Sequence, residues 1–409
     1  MSGAFDVLTE RGFVSQVTDE EAARRAFDTE TVTCYIGFDP TARSLHVGNL
    51  VPIMMLANIE RCGHKPIALV GGGTAMIADP TGKDELRPML TTEAIDDNIA
   101  WIKRQLGNFL DFESGATLMV NNAEWLRQLN YIDFLREIGT HFSVNRMLTA
   151  EAYKTRMETG LTFQEFNYQI LQSYDFLMLY RNYGCTMQLG GDDQWGNILA
   201  GVDLIRRKDR ALVQAITAPL ITTSDGKKMG KTAKGAIWLS AGMSSPYDYY
   251  QFWVNTDDRD VGRFLSLFTF LPMDEIQKLA SLQGADIRQA KAILAYEATK
   301  ITHGEEEAKN AQQAAQSAFT GASNGADNLP TTEVDPVRLE EGINVIELFV
   351  EANLGNTKSE VRRLIQQGGA SVNGERVPDI NLMINTDHLD DGTILLRAGK
   401  KRYHRVVIG

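Results

Sequence analysis

The chain has 409 residues, 43% of them hydrophobic and 23% charged, with a formal net charge of −12. Its length allows two or three domains and its composition is that of a globular protein. The acidic balance excludes a protein that coats nucleic acid or anionic membrane by bulk charge, and leaves room for a local basic patch. Three scattered cysteines, Cys34, Cys62 and Cys185, show no C-x-x-C pairing, and the six histidines show no H-E-x-x-H spacing. The sequence thus offers no zinc motif, and its cysteine use suits a reducing compartment. The start "MSGAFDVLTERGF" has no apolar signal core, and no apolar run reaches membrane-spanning length. A cytoplasmic location without membrane attachment is expected.

The first element in chain order with a chemical signature is "YIGFDPTARSLHVGNL", residues 35–50. "TVTCYIGF" before its turn is rich in β-branched and aromatic residues and predicts a strand. "LVPIMMLANIERCGHK" after it has apolar residues at helical spacing. His46, Gly48 and Asn49 therefore fall on a helix's first turn, where unpaired N–H groups and the dipole attract phosphate. His46 and Asn49 share a face and both can donate hydrogen bonds. Gly48 between them lets a flat ring lie against the backbone. A polar first turn facing water is the competing reading.

Further β-rich runs, "KPIALVGGG", "ATLMVNNA" and "CTMQLGG", alternate with helical patterns as far as about residue 240. This rhythm predicts βαβ units and a parallel sheet. "VGGGTAMIADPTGK" reads as a loop at the sheet's carboxyl edge. "SDGKKMGKTAKG", residues 224–235, sets Lys227, Lys228 and Lys231 around Gly226 and Gly230. Such a loop can neutralise a pyrophosphate leaving group, or it can simply be solvated. It is no Walker A motif, and no G-x-G-x-x-G follows a strand.

Residues from about 245 to 318 are mainly helical in pattern. Residues 320–336, "TGASNGADNLPTTEVDP", are poor in large apolar residues and are expected to be a linker. Beyond them, "SEVRRLIQQGGASVNGERV" predicts a helix, a Gly-Gly stop and two strands joined by an Asn-Gly turn. Lys358, Arg362 and Arg363 lie on that helix. "RAGKKRYHR" adds Arg397, Lys400, Lys401, Arg402 and Arg405 with no acid. This is a local phosphate-binding footprint, or a solvated basic tail.

"HVGN" after "GFDPTA" resembles the first signature of class I aminoacyl-tRNA synthetases, and "KMGKT" (228–232) resembles their lysine signature. With "GGGTAMIADPTGK", "FNYQILQSYDF" and "QLGGDDQWGNI", the set resembles the bacterial tyrosyl-tRNA synthetases nearly end to end, including a C-terminal S4-type RNA-binding segment. The resemblance implies a Rossmann-like α/β catalytic domain (1–240), a helical domain (241–319), the linker (320–336) and a small α+β S4-like domain (337–409).

By the same resemblance, Tyr35 and Asp175 contact the substrate phenol, and Asp79, Tyr168 and Gln172 hold its α-amino group. Gln194 lies near the carboxylate and Asp193 near the ribose. Gly37, Asp39, His46, Gly48 and Asn49 contact ATP. Lys228, Lys231 and Thr232 act with His46 and Asn49 in catalysis, and Lys83 and Arg87 match basic residues of a mobile loop. Lys358, Arg362, Arg363, Lys400, Lys401 and Arg402 bind tRNA(Tyr). ATP with Mg2+, L-tyrosine, tRNA(Tyr) and a second copy of the chain are the implied partners. Asn49 stands where the signature has a second His, and Gly230 where it has Ser. The latter is expected to loosen the loop. Another nucleotidyltransferase of the same signature, making a small adenylate, and a catalytically dead RNA-binding relative are the rival readings. "QSYD" and "GGDDQWGN" argue against the first, and His46 with Lys228 and Lys231 against the second.

Overall fold

The computed structural model describes residues 3–77, 79, 90–224, 226, 229–232, 235–320, 329–390, 392–399 and 402–409. Lys83, Arg87, Lys227, Lys228, Lys400 and Lys401 lie outside the described residues, as do the side chains of Lys231 and Thr232.

Six strands form the central sheet: β1 (Gln16–Val17), β2 (Thr33–Phe38), β3 (Lys65–Val70), β4 (Leu118–Asn121), β5 (Met187–Gly191) and β6 (Gln214–Ala218). Their order is β1-β6-β5-β2-β3-β4. The chain builds outward from β2 through β3 to β4, then returns to the other side of β2 as β5 and β6. The gap between those two directions is a topological switch point, where open α/β sheets bind ligands at the strands' carboxyl ends. Five strands run parallel, but β1 pairs antiparallel with β6, Gln16 opposite Thr217. The parallel sheet expected from the sequence is present in those five strands, with one antiparallel edge strand added. The two-residue β1 is too short for any alternation to show in the sequence.

The helix Leu50–Arg61 is apolar on nearly every side, and Leu50, Ile53, Met54, Met55, Leu56 and Ile59 are all buried. A helix of that kind must be covered all round. The sheet covers one side, and the helices Ala4–Arg11 and Val261–Phe268 cover the other. The opposite face of the sheet carries the paired helices Tyr168–Tyr183 and Trp195–Lys208.

The helical region comprises Pro246–Val254, Val261–Phe268, Met273–Ala280, Ile287–His303 and Glu305–Thr320. Gly304 splits the long helical pattern at φ +93, a conformation that glycine adopts without Cβ strain. Trp253 is ringed by Tyr249, Phe252, Phe264 and Phe268. These residues belong to the same core as Leu50 and Ile53, so apolar packing is continuous across residue 240.

The C-terminal region has its own core, including Leu348, Phe349, Val361, Ile394, Leu396 and Val406. Its five-stranded sheet contains Ala370–Val372, Glu375–Arg376, Thr393–Ala398 and Arg402–Ile408. Asn373 and Gly374 both take positive φ at the predicted hairpin turn. The fifth strand, Thr331–Val334, comes from the stretch read as linker and pairs parallel with Arg402–Ile408. Its two threonines and valine are good strand formers, but polar neighbours hide them. Leu329, Leu395 and Tyr403 pack on Tyr247 and Ala314, joining this sheet to the helices. No helix among the described residues is long and apolar enough to cross a membrane.

Candidate active site

A cleft of about 540 Å³ opens at the carboxyl ends of β2, β3, β5 and β6. It gathers Tyr35, Gly37, Asp39, His46, Gly48, Asn49, Asp79, Tyr168, Gln172, Asp175, Asp193 and Gln194. Every described tyrosine- and ATP-site residue expected from the sequence thus lines one cavity, apart from Lys231, whose side chain falls outside the described set.

Asp175 is buried in the cleft wall. It is 2% exposed and accepts hydrogen bonds from Asn122 Nδ2 (2.9 Å) and Trp125 Nε1 (2.7 Å). Burial raises its pKa to about 7. The two donors oppose the rise and Asp39 adds to it. Tyr35, across from it on β2, has a buried hydroxyl without a hydrogen-bond partner among the described residues. Its phenol is pushed well above the ordinary value, first by burial and then by Asp175. Gln172 Oε1 is likewise buried without a partner among the described residues.

Asp39 accepts from Thr74 Oγ1 (2.9 Å) and from the Tyr168 hydroxyl (3.1 Å). Asp79 accepts from Gln194 Nε2 (2.8 Å), whose Oε1 in turn accepts from Asn197 Nδ2 (3.2 Å). Burial raises the Tyr168 pKa, and Asp39 and Asp79 raise it further. Asn122, Trp125 and Thr74 escape the sequence reading. Asn122, in "ATLMVNNA", directly follows the strand Leu118–Asn121 at its carboxyl end, and that position is the signal that finds it.

The His46 turn differs from expectation. Val47–Asn49 is one 3₁₀ turn, and the α-helix begins at Leu50. His46 Nδ1 accepts from Gly48 N–H (3.0 Å) and Asn49 Oδ1 accepts from His46 N–H (3.0 Å). The pair caps its own turn, so the neutral imidazole carries its proton on Nε2. Trp238 packs edge-on against the ring at 6.0 Å.

The lysine motif meets this turn. Met229 and Gly230 line the cleft, Gly230 accepts from Ile237 N–H (3.0 Å), and Ile237 accepts from Val47 N–H (2.9 Å). Gly230 has φ +80, and a Cβ there would stand 3.1 Å from Gly48 N. Glycine therefore suits the seat, and the expected loosening is not what the geometry shows. Lys231–Thr232 continues as a strand paired with Gly235–Ala236.

The described lining carries four carboxylates, Asp39, Asp79, Asp175 and Asp193, and no lysine or arginine. No group of three metal-ligating side chains occurs among the described residues.

In the C-terminal region, Arg362 and Arg363 are exposed, and Lys358 pairs with Glu347 at 2.5 Å. Arg402 is half-buried. Burial lowers its pKa, against the pull of Glu360 and of Asp248 on the helix Pro246–Val254. It therefore lies less open than the footprint reading implied.

The model of tRNA synthetases class I (W and Y) matches residues 28–320, and that of the tyrosine–tRNA ligase SYY-like C-terminal domain matches 322–406. The tyrosine–tRNA ligase of Clostridium kluyveri is 54% identical over 408 residues, covering 100% of both chains. That of Acetivibrio thermocellus is 54% identical over 407 residues, covering 99% of both. A truncated mitochondrial tyrosyl-tRNA synthetase of Aspergillus nidulans superposes with a TM-score of 0.69 at 32% identity, over 76% of this chain and 93% of that one. The cleft at the switch point, the two motifs meeting at Gly48 and Gly230, and relatives matched end to end lead to one conclusion: the chain belongs to the class I tyrosine–tRNA ligases.

Proposed function

We propose that the cleft binds L-tyrosine with its phenol between Tyr35 and Asp175 and its ammonium group among Asp79, Tyr168 and Gln172. The observation that carries this reading is Asp175, a buried carboxylate whose two oxygens are held by Asn122 and Trp125. A phenol hydroxyl can donate to it, whereas a phenyl ring would leave it and Tyr35 without that bond. The ammonium group supplies donors to Gln172 Oε1 and to Asp79.

A carboxylate oxygen of tyrosine attacks the α-phosphorus of ATP in line, and the bond to the bridging oxygen breaks to release pyrophosphate. The chain supplies position and charge rather than a nucleophile. His46 Nε2–H faces the phosphates, with Gly48 beside it, while Asp193 and Gly37 border the ribose. Because the described lining is acidic, the positive charge comes from Lys228 and Lys231, with Thr232 beside them. Magnesium travels on the phosphates of ATP, and no step is routed through a protein-held metal.

The terminal ribose hydroxyl of tRNA(Tyr) then takes the tyrosyl group and AMP leaves. The helix Lys358–Gln366 and the 397–405 hairpin contact tRNA phosphates. Residues 1–240, 241–319 and 337–409, the last together with the strand Thr331–Val334, are the catalytic, helical and RNA-binding units of a cytoplasmic homodimer. Tyr131, Ile132, Val144, Met157 and Phe163 are exposed large apolar residues within residues 131–163, and covering them with a second copy would remove that apolar surface from water. ATP–pyrophosphate exchange with each amino acid in turn tests the reading. Tyrosine alone should support exchange, and exchange driven by another amino acid, or by none, refutes it.

A further inference from the structure

We propose that Asp260 and Arg263 are positioning residues for adenylation, fastening the entry of the lysine-bearing loop to the helical region. The proposal rests on the reading that this loop carries the charge for pyrophosphate release.

Asp260 ends a short turn, Asp258–Asp260, and precedes the helix Val261–Phe268. An Asp at such a place commonly accepts from the amides of its own helix. Here it makes no such cap. Its Oδ2 instead accepts from the backbone N–H of Ser224 at 2.8 Å, thirty-six positions earlier. Its Oδ1 accepts from Arg263 Nη2 at 2.7 Å, and that same nitrogen donates to the carbonyl of Thr222 at 2.5 Å. The Asp260 side chain is 4% exposed and that of Arg263 44%. Two backbone groups of the loop's entry, one amide and one carbonyl, are therefore held by one charged pair. A buried carboxylate accepting a backbone amide and a guanidinium makes stronger hydrogen bonds than neutral partners do.

The far side of the loop is seated independently. Met229 N–H bonds Ile221 O at 3.2 Å, and Gly230 rests against Gly48. Thr222 lines the cleft and precedes the lysine motif in the chain. Ser224 and Thr222 are themselves exposed, and burial does not fix them. The Asp260–Arg263 pair holds a backbone group of each, and the Asp257 carboxylate adds a hydrogen bond to Ser224. Removing the pair shifts the lysines relative to the α-phosphate without touching the tyrosine pocket. A displacement of about 1 Å in a positioning element can cost on the order of a hundredfold in rate.

The test uses the full-length chain with Asp260→Asn, Arg263→Ala and Lys231→Ala, singly and with Lys231→Ala combined with each of the other two. Single-turnover tyrosyl-adenylate formation, equilibrium tyrosine binding and thermal unfolding are read for each. Asp260→Asn keeps an acceptor for Ser224 but turns an amide toward Arg263. Arg263 is nearly half exposed, so Arg263→Ala serves if the first variant fails to fold. Both are expected to slow adenylation by about ten- to a hundredfold, with tyrosine binding within about twofold of the parent. In the Lys231→Ala background each should add less than about twofold, because residues acting through one group are not additive. Unchanged adenylation in Asp260→Asn and Arg263→Ala overturns the proposal, as does a parallel fall in tyrosine binding or a fully additive loss. Unchanged adenylation in Lys231→Ala alone instead removes the loop from the reaction, which is a failure of the functional reading and not of the clamp.

Discussion

Gly230 lies against the backbone nitrogen of Gly48, so the two sequence motifs meet in space. A Cβ at Gly230 would stand 3.1 Å from that nitrogen and 3.4 Å from Val47 Cβ, at φ +80. Gly230→Ala is therefore expected to cost about 1–2 kcal/mol of left-handed strain, with the crowding at Gly48 in addition. The cost should fall on the seated loop. Pyrophosphate exchange should slow several-fold while tyrosine binding holds. Equal loss of both would place the effect in folding instead.

Asp175 gives a pH prediction. Its pKa is raised to about 7, chiefly by burial. Protonation below that value removes an acceptor for the phenol, so the KM for tyrosine should rise as pH falls from 8 to 6. Asn122→Ala removes a donor that holds the pKa down, so the midpoint should move upward. A tyrosine KM that is flat from pH 6 to 8 would contradict this.

Stability should also respond to pH through His303. Its ring packs edge-on against Tyr249 at 4.9 Å, and burial lowers its pKa to about 4. The unfolded chain, with an ordinary histidine pKa, binds the proton first. The stabilising contribution is therefore complete above about 6.5 and disappears as pH falls toward 4. Asp175, with a raised folded value, acts with the opposite sign between its ordinary value and about 7, so the net slope is not diagnostic. His303→Phe compared with the parent is: it should flatten the acid side by up to about 1.4 kcal/mol per pH unit. Identical denaturation profiles from pH 4 to 7 would remove His303 from the account.

The strand Thr331–Val334 alters where a truncation should fall. A chain ending near Asp335 would keep a strand whose partner, Arg402–Ile408, is gone. A chain ending at Thr320 avoids this and exposes the Tyr247–Ala314 patch. It should form tyrosyl-adenylate near the normal rate and charge tRNA poorly. Its residual tRNA binding should show a shallower salt slope, by roughly one for each phosphate that the missing region would have neutralised. Full charging with an unchanged slope would contradict the assignment of the tail.

Legibility followed the range of the interactions. Strands β2 to β5, the Asn-Gly hairpin and the motif residues are readable because each rests on local pattern or short spacing. β1, β6 and Thr331–Val334 are not, since each is defined by a distant partner. The grip of Asn122 and Trp125 on Asp175, the seat of Gly230 and the reach of Asp260 to Ser224 join remote segments. No periodicity announces them. The self-capping of His46 by Gly48 and Asn49 is local, yet a helical-turn reading misses it because it treats both side chains as outward donors.

The most direct test of the account compares exchange driven by tyrosine and by phenylalanine in the parent and in Asp175→Ala, with folding checked by circular dichroism. The parent should exchange with tyrosine far better than with phenylalanine. The folded variant should lose most tyrosine-dependent exchange while its phenylalanine-dependent exchange falls no further, so that selectivity collapses. A folded Asp175→Ala chain that keeps the parent's preference for tyrosine would contradict the claim that this buried carboxylate reads the phenol.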